Sequence, residues 1–140
     1  MNVDVNTLKV KPALRSLEIA TDTATNGIII DTNGAVDVNL ILQFHDYTDG
    51  TYTPVIETGD DSGLSDASNI ADAYVSGNGY NTAITGADDK CYSFHIDRSM
   101  HKRYVRLKVT SASTSSGSFV SAIAVLGALS QSQPSSKNPS

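Results

Sequence analysis

The sequence predicts an all-β chain: a single antiparallel β-sandwich domain, jelly-roll-like, with a flexible polar C-terminal arm. Three observations carry this. Apolar and polar residues alternate in several segments, no segment shows a helical period, and turn signals built on Asn-Gly, Asp-Gly and Ser-Gly recur between the alternating segments. Successive side chains of a strand point to opposite faces, so alternation marks a strand with one buried side.

About seven strands are expected. Residues 13–20 form the first. Residues 27–31 hold Ile28, Ile29 and Ile30, a β-branched run that favours a second. Residues 36–44 alternate most clearly: Val36, Val38, Leu40, Leu42 and Phe44 point one way, and Asp37, Asn39 and Gln43 point the other, joined by Ile41. Residues 52–58 are interrupted by Pro54, which has no ladder N–H and so belongs at an edge or bulge. Residues 91–96 place Tyr92, Phe94 and Ile96 inward. Residues 103–110 place Val105, Leu107 and Val109 on one face, with Tyr104, Arg106, Lys108 and Thr110 on the other. Residues 117–127 are apolar on both faces, which predicts burial between layers or against another chain. Residues 64–84 are long and polar, and read as a loop with one short helical turn. The chain divides into an N-terminal arm (1–11), a sandwich (12–128) and a flexible polar tail (129–140) that reads LSQSQPSSKNPS with its neighbour Leu129.

A chain of 140 residues supports one core without disulfides or metal. Cys91 is the only cysteine; its strand context marks it as a core thiol, and the absence of a disulfide framework suits a reducing compartment. The first residues lack the basic head and apolar run of a signal peptide, and the longest apolar stretch, 122–129, is too short to span a membrane. A net charge of −5 opposes nucleic-acid binding.

The layout of charge is uneven. Thirteen acids and no Lys or Arg fall between Arg15 and Lys90, whereas residues 98–108 carry Arg98, Lys102, Arg103, Arg106 and Lys108 and no acid. Two readings stay open: the segments meet and neutralise each other, or the basic run is a docking surface for an acidic neighbour.

Residues 46–50 begin like a calcium loop but lack its acid spacing and distal Glu, so a hairpin turn is expected. Asp60-Asp61 and Asp88-Asp89 read as solvated loop acids. His45, His95 and His101 lack metal-ligand spacing, and no nucleophile elbow, phosphate loop or dinucleotide fingerprint occurs. The expectation is a protein without enzyme chemistry, cofactor or metal.

The segments Asp49-Gly50-Thr51-Tyr52-Thr53-Pro54 and Lys102-Arg103-Tyr104-Val105-Arg106-Leu107-Lys108-Val109-Thr110, with the acidic turn at 60–63 and the small-residue strand ending at Gly127, resemble capsid decoration (cement) proteins of tailed phages. The resemblance covers roughly residues 10–127. It implies a β-sandwich made in the host bacterial cytoplasm that binds the outer surface of the mature shell. It implies the major capsid protein as partner and a homo-oligomer, with a trimer favoured. The expected contacts are Arg98, Lys102, Arg103, Arg106 and Lys108, together with residues 1–11. The run Arg103–Leu107 is also similar to a strand of galactose-binding, discoidin-type jelly rolls, which would make Tyr47, Tyr52, Tyr74 and Tyr80 the sugar-stacking platforms. A head–tail joining or tail role is a third possibility.

Overall fold

A computed structural model describes residues 8–33, 35, 37–86, 88–97 and 100–127. Val36, the arm at 1–7 and the tail at 129–140 lie outside the described residues. The strands are β1 (Lys9–Ile19), β2 (Ala24–Asn26), β3 (Ile30–Asp31), β4 (Asp37–His45), β5 (Thr51–Gly59), β6 (Ser68–Asn69), β7 (Val75–Ser76), β8 (Lys90–Ile96), β9 (Tyr104–Ala112) and β10 (Ser118–Gly127).

They form two antiparallel sheets. One has the order β1-β10-β4-β8-β7. The other has the order β2-β9-β5-β6, with β3 also on β9. The chain changes sheet between β1 and β2, between β3 and β4, and again at β5, β7, β9 and β10. This alternation is the jelly roll, two sheets interleaved in sequence and stacked face to face.

The alternating segments bury the residues their pattern points inward. Val38, Leu40, Leu42 and Phe44 of β4, with Phe94 and Ile96 of β8, meet Val105, Leu107 and Val109 of β9, with Tyr52 and Ile56 of β5; all are at most 1 % exposed. Each such aliphatic or aromatic side chain contributes about 1.5–3 kcal/mol by leaving water. From β10, Val120, Ala122, Ala124 and Leu126 join this core. The opposite side of β10 faces outward rather than into a second layer of the same chain.

Pro54 lies where its missing N–H costs the β9 ladder nothing. Tyr52, Pro54 and Ile56 turn their backbone groups away from β9, toward residues 70–84. There Ile84 exchanges two hydrogen bonds with Tyr52, Asn81 N donates to the Pro54 carbonyl, and Ile70 N donates to the Ile56 carbonyl. The Tyr80 hydroxyl completes this edge: it accepts from Ile56 N at 3.0 Å and donates to the Ile70 carbonyl at 2.7 Å. Residues 64–84 are therefore a cover for the β5 edge. Besides the expected helical turn, a 3-10 turn at Asp72–Tyr74, they contain β6 and β7 and bury Leu64, Ile70, Tyr80 and Ile84.

Four expectations change. The strand expected at 27–31 is reduced to β3 at Ile30–Asp31, preceded by β2 at Ala24–Asn26, both on β9; between them Gly27 N bonds the Leu107 carbonyl on β9, whereas Ile28 N bonds the Ala13 carbonyl on β1 of the other sheet. Gly27 thus serves close approach rather than a turn, since a Cβ there would lie 2.2 Å from the Ala13 oxygen and 2.8 Å from the Leu107 oxygen. The turn at 46–50 joins strands of different sheets, so it is a crossing and not a hairpin. β1 begins at Lys9, whose neighbour Val10 pairs with Val125, so residues 9–11 belong to the sandwich and not to an arm. Cys91 is exposed, because the alternation that turns Tyr92, Phe94 and Ile96 inward must turn Cys91, Ser93 and His95 outward.

Gly27→Ala is expected to cost at least about 2 kcal/mol, since backbone must shift on both sides of the new methyl. Tyr80→Phe should cost about 1–3 kcal/mol by orphaning Ile56 N–H. Urea midpoints at unchanged slope measure both.

Candidate functional site

The basic run enters the structure already paired. Glu57 of β5 lies opposite Arg106 of β9 on the outer face of their sheet. Arg106 donates from Nε (3.0 Å) and Nη2 (2.7 Å) to Oε1, and Lys108 Nζ donates to Oε2 at 3.4 Å. The three side chains are only 18 %, 11 % and 26 % exposed. Burial pushes the Glu57 carboxyl up, but the Arg106 hydrogen bonds and the charges of Arg106 and Lys108 outweigh it and hold the group below its usual range.

At the start of β9, Arg103 makes a two-pronged pair with Asp31, both contacts at 2.9 Å, and its guanidinium lies 5.2 Å from the centre of the Tyr104 ring. The Arg103 hydrogen bonds bring the Asp31 carboxyl down to about 2. Lys102 approaches Asp60 at 3.7 Å in an exposed, looser pair. Arg98 lies outside the described residues. The structure therefore gathers Arg106 and Lys108 around one carboxylate and sets Lys102 and Arg103 against separate ones. All three acids come from the long acidic segment, so this geometry is mutual neutralisation.

Other acids of that segment hold loops. Asp49 accepts from the backbone N–H groups of Ser115, Ser116 and Gly117, at 2.9–3.2 Å. Asp22 accepts from Thr114 N at 2.9 Å and from its hydroxyl at 2.7 Å. Asp66 accepts from Asp60 N and Asp61 N, and Asp61 from Gly63 N and Ser65 N. These donors favour the ionised form, and all four carboxyls are held below their usual range. The Asp61-to-Gly63 contact is local and has a sequence signal, an Asp two residues before a Gly. The reach of Asp49 across 68 residues to Gly117 has none.

The outer face of the β1-β10-β4-β8-β7 sheet is chemically different. Its rows follow from the register. Pro12, Ile123, Ile41 and Ser93 form one row, Val10, Val125, Asn39 and His95 the next, and Ser121, Gln43 and Cys91 a third. Val10 is 63 % and Ile123 43 % exposed. At one end His45 stacks on Phe119, ring centres 5.3 Å apart; at another corner His95 Nε2 lies 3.5 Å from Asp37. These three rows contain no Lys, Arg, Asp or Glu. The signal was present in the two-sided apolar reading of residues 117–127.

Of the four tyrosines that could stack on a sugar, Tyr52 and Tyr80 are buried. Tyr47 is tied through its hydroxyl to the Gly50 carbonyl at 2.7 Å, which leaves Tyr74 exposed. Two shallow hollows of about 320 and 310 Å³ lie at Leu14–Leu17 with residues 25–28, and at Gly77, Asn78 and Cys91 to Ser93. Among the described residues, no three His, Cys, Asp or Glu gather as a metal site, and no helix is long and apolar enough to cross a membrane. Compared with protein-family models, curated proteins and solved structures, the chain matches none.

Because the folded Asp31 carboxyl sits at about 2, below its ordinary 3.8, its pairing with Arg103 favours the fold fully above the ordinary value and is lost as pH falls through about 2. Thermal midpoints of wild type and Asp31→Asn should therefore stay apart by a constant interval at neutral and mildly acidic pH, and converge toward pH 2.

Proposed function

We propose that this chain is a non-enzymatic virion protein that binds the outer surface of a phage capsid shell and reinforces it, as decoration proteins do. The observation that carries this reading is the patch of three rows without Lys, Arg, Asp or Glu on the outer face of the β1-β10-β4-β8-β7 sheet, with Val10, Pro12, Ile41, Ile123 and Val125 at its centre. A contiguous exposed apolar face marks a site of macromolecular contact. A patch spread over β1, β10, β4 and β8 suits a protein partner, since small molecules are held mostly in concave sites. The resemblance of residues 10–127 to decoration proteins supplies the class of partner, the major capsid protein.

The mechanism is mechanical. A protein that binds the assembled shell and not free subunits stabilises the assembly by mass action, by about 2.7 kcal/mol per site at a hundredfold excess over Kd. Loops already held by Asp22, Asp49, Asp61 and Asp66 lose little freedom on docking, which lowers the entropic cost of association. Among the described residues of the basic run, Lys102 has the loosest ion pair and can exchange Asp60 for an acid of the shell.

Co-sedimentation with undecorated heads, before and after shell expansion, tests the proposal. Saturable binding to expanded heads at a fixed ratio to the major capsid protein is the expected result. A folded protein that stays in the supernatant would sink it and turn attention to tail fractions, where a joining protein would be found.

A further inference from the structure

We propose that Asn78 is a modification site, where the side-chain amide is lost spontaneously and the residue becomes aspartate or isoaspartate. The fold, and not the Asn-Gly pair alone, selects it.

The sequence holds three Asn-Gly pairs, at 26–27, 33–34 and 78–79. In such a pair the glycine amide nitrogen can attack the carboxamide carbon of the asparagine, because no Cβ crowds it. The nitrogen gives its proton to hydroxide and forms a bond to Cγ. The Cγ–Nδ2 bond breaks, ammonia leaves, and a succinimide ring closes. Water then opens the ring. Cleavage between Cγ and the glycine nitrogen leaves aspartate in an ordinary chain. Cleavage between the main-chain carbonyl carbon and that nitrogen leaves isoaspartate, whose chain runs through Cβ and Cγ. One water is consumed, one ammonia is released, and neither oxidant nor reductant is needed.

The pairs differ in what the fold allows. Asn26 ends β2 in register with Lys108, and the Gly27 N–H donates to the Leu107 carbonyl at 2.6 Å. The attacking nitrogen is thus held by its own proton, in a place where a Cβ would already meet the Ala13 and Leu107 oxygens. Ring closure there waits for β2 to open. Of the 33–34 pair, Gly34 lies outside the described residues. Asn78 is exposed in the turn after β7, and among the described residues the Gly79 N–H donates to no backbone carbonyl. Asn78 also borders the hollow of about 310 Å³ that Gly77 and Cys91 to Ser93 line. A water takes about 30 Å³, so hydroxide and water have room to reach the ring.

The product forms in a tight place. Gly77 and Gly79 have positive φ, +124° and +96°. A Cβ on Gly77 would lie 2.1 Å from the Ser93 oxygen, and one on Gly79 3.0 Å from the Tyr92 ring. The turn is seated on β8 without slack, and isoaspartate adds one backbone atom to it. Tyr80 follows at once, and its hydroxyl holds the Ile56 N–H and the Ile70 carbonyl. Isoaspartate at 78 therefore pulls at the anchor of the 70–84 cover. Plain aspartate adds only a charge, beside Cys91 and Ser93 of the uncharged rows.

The test follows the full chain by chymotryptic mass mapping over weeks near neutral pH, folded in buffer and unfolded in urea. Trypsin is unsuited, because no Lys or Arg falls between Arg15 and Lys90. In the folded chain Asn78 is expected to convert within about threefold of its rate in urea, and Asn26 more than about tenfold slower than its own. Asn78→Gln should abolish the change at 78. Equal rates at Asn26 and Asn78 in the folded chain, or an Asn78 slowed more than about tenfold by folding, would overturn the proposal. Chromatography then separates the aged forms. The isoaspartyl form should melt below both wild type and Asn78→Asp, and one that melts with Asn78→Asp would overturn the coupling to Tyr80.

Discussion

Backbone amides at the sheet crossings are the constraint on which this molecule depends. A jelly roll sends its chain back and forth between two sheets, and at each crossing the ladder that would satisfy N–H groups is interrupted. Donors freed there find other acceptors, in side chains or water. Here Asp22 and Asp49 supply oxygens to the 114–117 turn that crosses from β9 to β10, and Asp61 and Asp66 do the same for the turn from β5 to β6 within one sheet. The break between β2 and β3, both on β9, is bridged without a side chain, by backbone bonds from Gly27 to β9 and from Ile28 to β1 of the opposite sheet. Much of the acidic character of the chain is thus internal structural chemistry. It fixes the ends of a sandwich whose faces are left to other tasks.

The two outer faces divide those tasks. On β9 and β5, Arg106, Lys108 and Glu57 satisfy one another at low exposure, an arrangement costly to break and poor at attracting a distant partner. On the middle of β10 and β4, Ile123, Val125, Ile41 and the short polar Ser121, Gln43 and Asn39 lie outward with no Lys, Arg, Asp or Glu among them. A single chain that folds stably while leaving Val10 and Ile123 in solvent has surface suited to association. The same strand, β10, turns Val120, Ala122, Ala124 and Leu126 to the core and still carries Phe119, Ile123 and Val125 on its outer side.

Alternation made most of the sandwich legible. Residues 36–44, 91–96 and 103–110 announce β4, β8 and β9 and their inward faces, because a half-buried strand writes a period of two into its sequence. The short strands β2, β6 and β7 carry no such period; two or three residues cannot, and their pairing is set by β9, β5 and β8. The exposure of Cys91 followed from the pattern itself once Tyr92 and Phe94 were assigned inward. The pairing of Arg103 with Asp31, 72 residues away, had no local trace. Nor did the shared carboxylate of Arg106 and Lys108, since register between distant strands is decided by the whole sheet. The neutral face was visible in outline, as a strand apolar on both sides, but its extent required β1, β4 and β8 to be laid beside it.

The pairing of β1 with β10 sets a condition on how the molecule is made. Among the described residues β1 pairs with no other strand, and β10 is the last strand described, about a hundred residues later in synthesis. While the nascent chain lengthens on the ribosome, Leu14, Leu17 and Ile19 emerge early and wait for the strand that will cover them. In the interval Lys9, Lys11, Pro12 and Arg15, placed along β1, discourage pairing with foreign strands. The cation-bearing edge that looks like surface decoration in the finished sandwich is thus a safeguard for the seconds before the sandwich exists, at about 5–20 residues made per second.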